Sequence, residues 1–331
     1  MKRAYVLSVI VLSGALATAA AQLGAQAPAG APPAPGQGAP GQGAPGRGPG
    51  GPGGGRGGGN AIQPIKKISD KLYWIPGAGG NSAVYLAASG VVLVDTKNPM
   101  NGQGILDQVK TVTDKPVAYI INTHTHADHV GSNAQFPATV EIVTHANTAA
   151  NMKKMANFTD EATKHGLPDK TFTDKMTVLS GKDAIDLYYF GNAHTNGDTL
   201  VVFRDQKVMH AGDMFANKGM PLIDRANGGS GVAWGDTIGK AAKKVKKVET
   251  VITGHNTMTT LSWQDFVDYG EFNRLYLKAA QDALKANKTP EQAAMEFKLP
   301  DKFKDYTLTG GRGGPAGNFG IIFEELKAGA K

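Results

Sequence analysis

Residues 61–331 predict a fold of mixed α and β class, and two observations predict it. Short apolar runs of strand character alternate with longer stretches of helical period along the whole segment. Side chains suited to metal binding recur at the ends of apolar runs in both halves. That placement suits two β-sheets packed as a sandwich and flanked by helices, with a site along one edge.

The elements follow in order. Strands are expected at 72–75, 82–86 and 90–95, joined by Gly-containing turns. A helix over 103–112 leads into a buried strand at 117–122, followed by a short strand at 141–143 and a helix over 146–157. The second half repeats the theme with strands at 184–190, 199–203 and 207–210, a helix over 234–248 and a strand at 250–252. Helices are expected over 263–286 and 290–297. Gly310-Gly311-Arg312-Gly313-Gly314 then reads as a loop before a last apolar stretch.

The strand at 117–122 ends in Asn122-Thr123-His124-Thr125-His126-Ala127-Asp128-His129. Imidazoles and a carboxylate gathered at the end of a buried strand point to a metal centre on a rigid scaffold. In an extended segment His124 and His126 point the same way and can share one ion. Asp128 and His129 fall past the strand end, where the chain turns and can serve a second. Three later fragments add ligands: Gly191-Asn192-Ala193-His194-Thr195-Asn196-Gly197-Asp198, Met209-His210-Ala211-Gly212-Asp213, and Ile252-Thr253-Gly254-His255-Asn256. In this order the motifs resemble those of the metallo-β-lactamase-fold superfamily of dinuclear hydrolases. The resemblance covers roughly residues 62–331, and its specific motifs lie between 81 and 255.

The resemblance implies an αββα four-layer sandwich of two mixed β-sheets flanked by helices, with the metal site at one edge. It implies that His124, His126 and His194 hold a first ion, that Asp128, His129 and His255 hold a second, and that Asp213 bridges them. Three neutral imidazoles leave zinc an open position for water, as catalytic sites do. Nitrogen and oxygen donors without thiolate fit two Zn2+ per chain best, although iron or manganese also satisfies them. A hydroxide shared by the ions would attack the substrate, and Asp128 is the expected catalytic residue, orienting it and shuttling its proton. Asp95 resembles the buried family aspartate that orients a metal loop. Asp198 is expected to fix the loop of His194, whereas Asp224 reads equally as structural or pocket-lining. Of the eight histidines, His145 and His210 are expected near the site in packing or surface roles, and His165 is expected to be exposed.

On substrate, the absence of cysteine excludes the cysteine-using β-lactamase subclasses. The all-histidine subclass shares the ligand set but usually lacks the bridging aspartate. Asp213 instead resembles the glyoxalase-type thioesterases, lactonases and related hydrolases. The expected activity is therefore hydrolysis of a small-molecule ester, lactone, thioester or cyclic amide, with β-lactam cleavage within its range. Two rivals share the motifs or the tether: a mononuclear iron oxidoreductase of the persulfide-dioxygenase type, and a metal-stabilised envelope binding module. A histidine at 126 rather than a carboxylate argues against the flavo-diiron branch.

The ends bear on location. Lys2 and Arg3, an apolar run over 5–17 and Ala19-Ala20-Ala21 before Gln22 read as a signal peptide over 1–21. Residues 22–60 are expected to be a disordered linker, because a Gly/Pro/Ala-rich segment buries too little apolar surface to offset the entropy of ordering. Residues 61–331 then form the hydrolase domain, in a periplasmic or secreted protein with no membrane insertion once the leader is cleaved. Lys2, Arg3, Arg47 and Arg56 are the only charged residues before 61, so four of the seven net positive charges lie there and the domain carries +3. That excess is too mild for a nucleic-acid partner. The lysines at 240, 243, 244, 246 and 247 read as the solvated face of a helix.

Overall fold

The computed structural model describes residues 61–310 and 313–329. The leader expected over 1–21 and the linker over 22–60 lie outside the described residues, as do Gly311 and Arg312 of the expected loop. Among the described residues, one sheet of seven strands runs in sequence order: β1 (Lys66–Lys67), β2 (Leu72–Ile75), β3 (Ser82–Ala87), β4 (Gly90–Val94), β5 (Val117–Ile121), β6 (Glu141–His145) and β7 (Lys170–Phe172). Pairing is antiparallel from β1 to β4 and parallel from β4 to β7. A six-stranded sheet holds β8 (Lys175–Val178), β9 (Ile185–Tyr188), β10 (Leu200–Phe203), β11 (Val208–His210), β12 (Thr250–Ile252) and β13 (Leu261–Ser262), also neighbours in chain order. In this sheet only β11 and β12 pair in parallel.

The period of two along each strand builds the layers. Ala83 and Tyr85 of β3 and Val92 and Val94 of β4 face inward, meeting Leu187 of β9 and Val201 and Phe203 of β10. Tyr85 and Phe203 touch across the sandwich with ring centroids 5.4 Å apart. Val84, Val91 and Leu93 face outward and pack on Ile105 and Val109 of helix α1 (Gly102–Lys110). Each such buried Val or Leu contributes about 1.5–3 kcal/mol. Short helices α2 (Ala127–Val130) and α3 (Ala146–Met152) follow β5 and β6. On the far side, Leu200, Val202, Met209 and Val251 pack under α4 (Trp234–Lys244), α5 (Trp263–Lys285), α6 (Pro290–Glu296) and α7 (Gly314–Gly329). The order of layers is helix, sheet, sheet, helix, as the resemblance implied.

Several boundaries differ from the sequence reading. β4 stops at Val94, because Asp95 adopts a positive φ of 61°. The helix expected over 234–248 ends at Lys244. Val245 turns extended there, and both it and Val248 bury against the core on the way to β12. The helix expected over 146–157 ends at Met152, and Ala156–Phe158 forms a separate 3-10 turn. The last apolar stretch is helical as α7, with Gly314 its first residue. No helix among the described residues is long and apolar enough to cross a membrane.

Candidate metal centre

The seven expected ligand residues all sit in segments that leave strand ends or join strands at one edge of the sandwich. His124 and His126 follow β5, and Asp128 and His129 ride on α2. His194 precedes β10, Asp213 lies in the turn after β11, and His255 follows β12. The donor atoms fall into two groups: those of His124, His126, His194 and Asp213 lie within 4.8 Å of one another, and so do those of Asp128, His129 and His255.

In the first group, hydrogen bonds decide which ring nitrogen faces the centre. Thr123 Oγ1 donates its proton to Asp95 Oδ2 (2.7 Å), so at 3.0 Å it can only accept from His124 Nδ1. That leaves His124 Nε2 bare, and it is buried with no partner. His126 donates from Nε2 to Asp224 Oδ2 at 2.7 Å, and His194 donates from Nδ1 to the Leu222 carbonyl at 2.6 Å. Their remaining nitrogens, His126 Nδ1 and His194 Nε2, then face each other at 2.9 Å. His124 Nε2 and Asp213 Oδ1 are both buried without a hydrogen-bond partner, and a cation would satisfy both. The chemistry of the donor set therefore fits a metal ion.

In the second group carboxylates surround both imidazoles. His129 donates from Nδ1 to Asp95 Oδ2 at 2.7 Å, leaving Nε2 3.3 Å from Asp213 Oδ1, 3.4 Å from His255 Nε2 and 4.0 Å from Asp128 Oδ2. His255 Nε2 lies 3.1 Å from Asp213 Oδ2 and 3.4 Å from Asp128 Oδ2. Asp213 thus stands between both groups, with His194 Nε2 at 3.6 Å from its Oδ2.

Electrostatics separates the two groups. Burial and the neighbouring His129 and His194 hold His124 well below the usual histidine range. Burial and His126 push His194 down to about 4. These rings are neutral and ready to ligate. Burial works against charge on His129 and His255, but Asp213 and the carboxylates beside it outweigh burial and raise both. A cation entering the second group therefore displaces protons. Burial opposes charge on Asp213 as well, yet His255 and His129 hold it well below the usual carboxylate range.

Supporting residues extend outward. Asp95, fully buried, takes hydrogen bonds from Thr123 N (2.8 Å), Thr123 Oγ1 and His129 Nδ1, so one carboxylate orients both ligand groups. Asp198 accepts from Thr195 N and Oγ1 at 2.9 and 2.7 Å, fixing the loop of His194; burial pushes it up to about 7. Asp224 orients His126 and also accepts from Asn227 Nδ2 (2.6 Å). Helix α7 backs this segment: Asn318 Nδ2 donates to Pro221 O at 2.7 Å, and Glu325 accepts from Ser230 Oγ. His210 is buried and donates to Asn81 O at 2.9 Å, His145 caps α3 and stacks on Tyr189, and His165 is exposed. The Leu222 carbonyl and the relay through Thr123 had no signal in the sequence, since neither depends on a distinctive side-chain pattern.

Comparison with known proteins places this geometry. The family model described as "Metallo-beta-lactamase superfamily" matches residues 75–255, more than half of the chain. A metallo-beta-lactamase type 2 of Bacteroides fragilis is 25% identical over 205 residues, covering 58% of this chain and 78% of that protein. Among solved structures, the stereoselective inverting sec-alkylsulfatase Pisa1 from Pseudomonas sp. superposes with a TM-score of 0.65 at 15% identity, over 79% of this chain and 50% of that one. This chain thus spans about half the length of the alkylsulfatase. A metallo-beta-lactamase from Pontibacter korlensis gives a TM-score of 0.54 at 20% identity, over 65% of this chain and 99% of that one. At these identities the structural likeness is one of fold.

Proposed function

The chain belongs to the metallo-beta-lactamase superfamily and is a metal-dependent hydrolase, and we propose that it is an exported dinuclear zinc enzyme acting on a small-molecule ester, lactone, thioester or cyclic amide, β-lactams included. In this reading residues 1–21 are a cleaved leader, 22–60 a linker and 61–331 the catalytic domain. His124, His126 and His194 hold the first ion, Asp128, His129 and His255 the second, and Asp213 bridges.

One observation carries the reading. His124, His126 and His194 each have one ring nitrogen engaged by the protein while a second nitrogen converges on Asp213, and His129, anchored through Nδ1, turns Nε2 toward the same carboxylate at 3.3 Å. Ions held there supply Lewis acidity and lower the pKa of bound water toward about 7. The absence of thiol from the set favours zinc over softer metals, although iron or manganese satisfies the same donors.

The chain's own residues do the rest. His124 and His129 are sealed from solvent, while the side chains of His126 and Asp128 are 22% and 16% exposed, so substrate enters on their side. Asp128 Oδ2, 3.4 Å from His255 Nε2, accepts the proton of the attacking water and returns it to the leaving atom. Asp224, Leu222 and Asp95 hold the imidazoles in place, so no ring must reorient during the reaction.

Metal analysis of the leaderless protein, paired with lactone, thioester, β-lactam, phosphodiester and sulfate-ester probes, tests the proposal. Sulfate esters are included because of the alkylsulfatase fold likeness. The expected result is two zinc ions per chain and turnover of an acyl probe, reduced about 10²–10⁴-fold in Asp128→Ala. A single iron per chain with no hydrolysis overturns it in favour of the mononuclear iron oxidoreductase.

A further inference from the structure

Lys97 is fully buried and adopts a positive φ of 65°. Its Nζ donates to the carbonyls of Ile75 (2.7 Å), Gly77 (2.9 Å) and Gly80 (3.0 Å). All three acceptors belong to the end of β2 and the turn that follows it. Three acceptors use every N–H of an ammonium, whereas a neutral amine has only two. Burial pushes Lys97 down to about 7 while Asp95 opposes the shift. The carbonyl cage is what a charged amine needs when water is excluded.

The turn gathered by Lys97 touches Asp128 and His129 of the second ligand group and the residues that flank His255. Gly80 N donates to the Asp128 carbonyl at 2.9 Å. The His129 ring lies flat enough on Gly80 that a Cβ there would fall 2.2 Å from Cε1. Asn81 N donates to Gly254 O at 2.7 Å, and Asn81 Nδ2 donates to Thr253 O and Asn256 O, both at 2.9 Å, bracketing His255. The imidazoles of the first group are held instead by Thr123, Asp224 and Leu222.

We propose that Lys97 is a positioning residue for the second ligand group: by drawing three carbonyls of the β2–β3 turn onto one ammonium, it sets the surface against which Asp128, His129 and His255 assemble. The proposal rests on the two-ion reading above. It assigns Lys97 no contact with substrate or ion.

The test titrates the metal-free full chain with Zn2+ against a competing chromophoric chelator, which resolves the two binding steps without reference to turnover. Lys97→Met should weaken the second step by about tenfold or more and leave the first within about twofold. Lys97→Gln keeps two N–H donors, should fall between, and serves if Lys97→Met does not fold. Equal weakening of both steps, or an unchanged second step, overturns the role of Lys97. Wild-type protein that takes up a single equivalent overturns the two-ion reading instead.

Discussion

Asp224 gives the clearest residue-level assignment, because its carboxylate does two jobs with separate atoms. Oδ2 receives the His126 Nε2 proton at 2.7 Å, and Oδ1 accepts from Ala226 N at 3.1 Å. Burial alone would raise its pKa, but hydrogen bonds from His126 and Asn227 hold it well below the usual carboxylate range. A charged acceptor makes the opposite ring nitrogen a better donor to metal. Asp224→Asn keeps the cap and removes the charge, so first-step zinc affinity should fall about tenfold. Unchanged affinity in a chelator competition would leave Asp224 a purely structural residue. The sequence left its role open because it lies 98 residues from His126. Gly254 shows the same limit. A Cβ there would fall 1.9 Å from Asp213 Oδ1, a demand visible only when β11 and β12 lie side by side.

At the level of elements, β9 is tied to its neighbours by Asp186. Its carboxylate accepts from Thr177 Oγ1 of β8 (2.6 Å) and from Arg204 Nε, just past β10 (2.6 Å). Burial opposes its charge, but Arg204, Thr177, Lys175 and Tyr188 lower its pKa from 3.8 to about 2. A folded pKa below the unfolded one means stability that is fully present above about pH 4 and lost as pH falls toward 2. Asp186→Asn should therefore cost about 2 kcal/mol at neutral pH in urea unfolding, with the gap to wild type closing near pH 2. A gap independent of pH would show that charge on Asp186 is not what binds the strands. The strands it joins were unequally legible. β10 is a four-residue apolar run, but β8, Lys-Met-Thr-Val, alternates polar and apolar over only four residues, too few to stand out. β7 is three residues long, and α7 contains glycines that mask its helical period. Tertiary burial of Phe319, Ile322 and Phe323 stabilises that helix despite its composition.

For the whole molecule, the candidate centre draws on both sheets. His124, His126, Asp128 and His129 come from the edge of the seven-stranded sheet, and His194, Asp213 and His255 from the six-stranded one. Ions bound there would join the two layers. Because the unfolded chain cannot present this group, binding is coupled to folding. Free zinc at a hundred times its Kd should add about 2.7 kcal/mol per ion. Calorimetry should find a higher Tm in zinc than in chelator. Equal Tm values would argue against a site spanning the sheets.

The sequence by itself determined the alternation of strands and helices and, through the family motifs in their order, the candidate ligand residues. Both are legible because a motif at a strand end and the apolar pattern of a buried run are properties of neighbouring residues. Tertiary structure alone decided which nitrogen of each histidine faces the centre. It also decided that Asp95 serves both groups, that Asp224 belongs to the site, and that a buried lysine holds the β2–β3 turn. These depend on hydrogen bonds between segments far apart in the chain, with partners that are often backbone carbonyls, and a carbonyl leaves no mark on the identity of the residue that bears it.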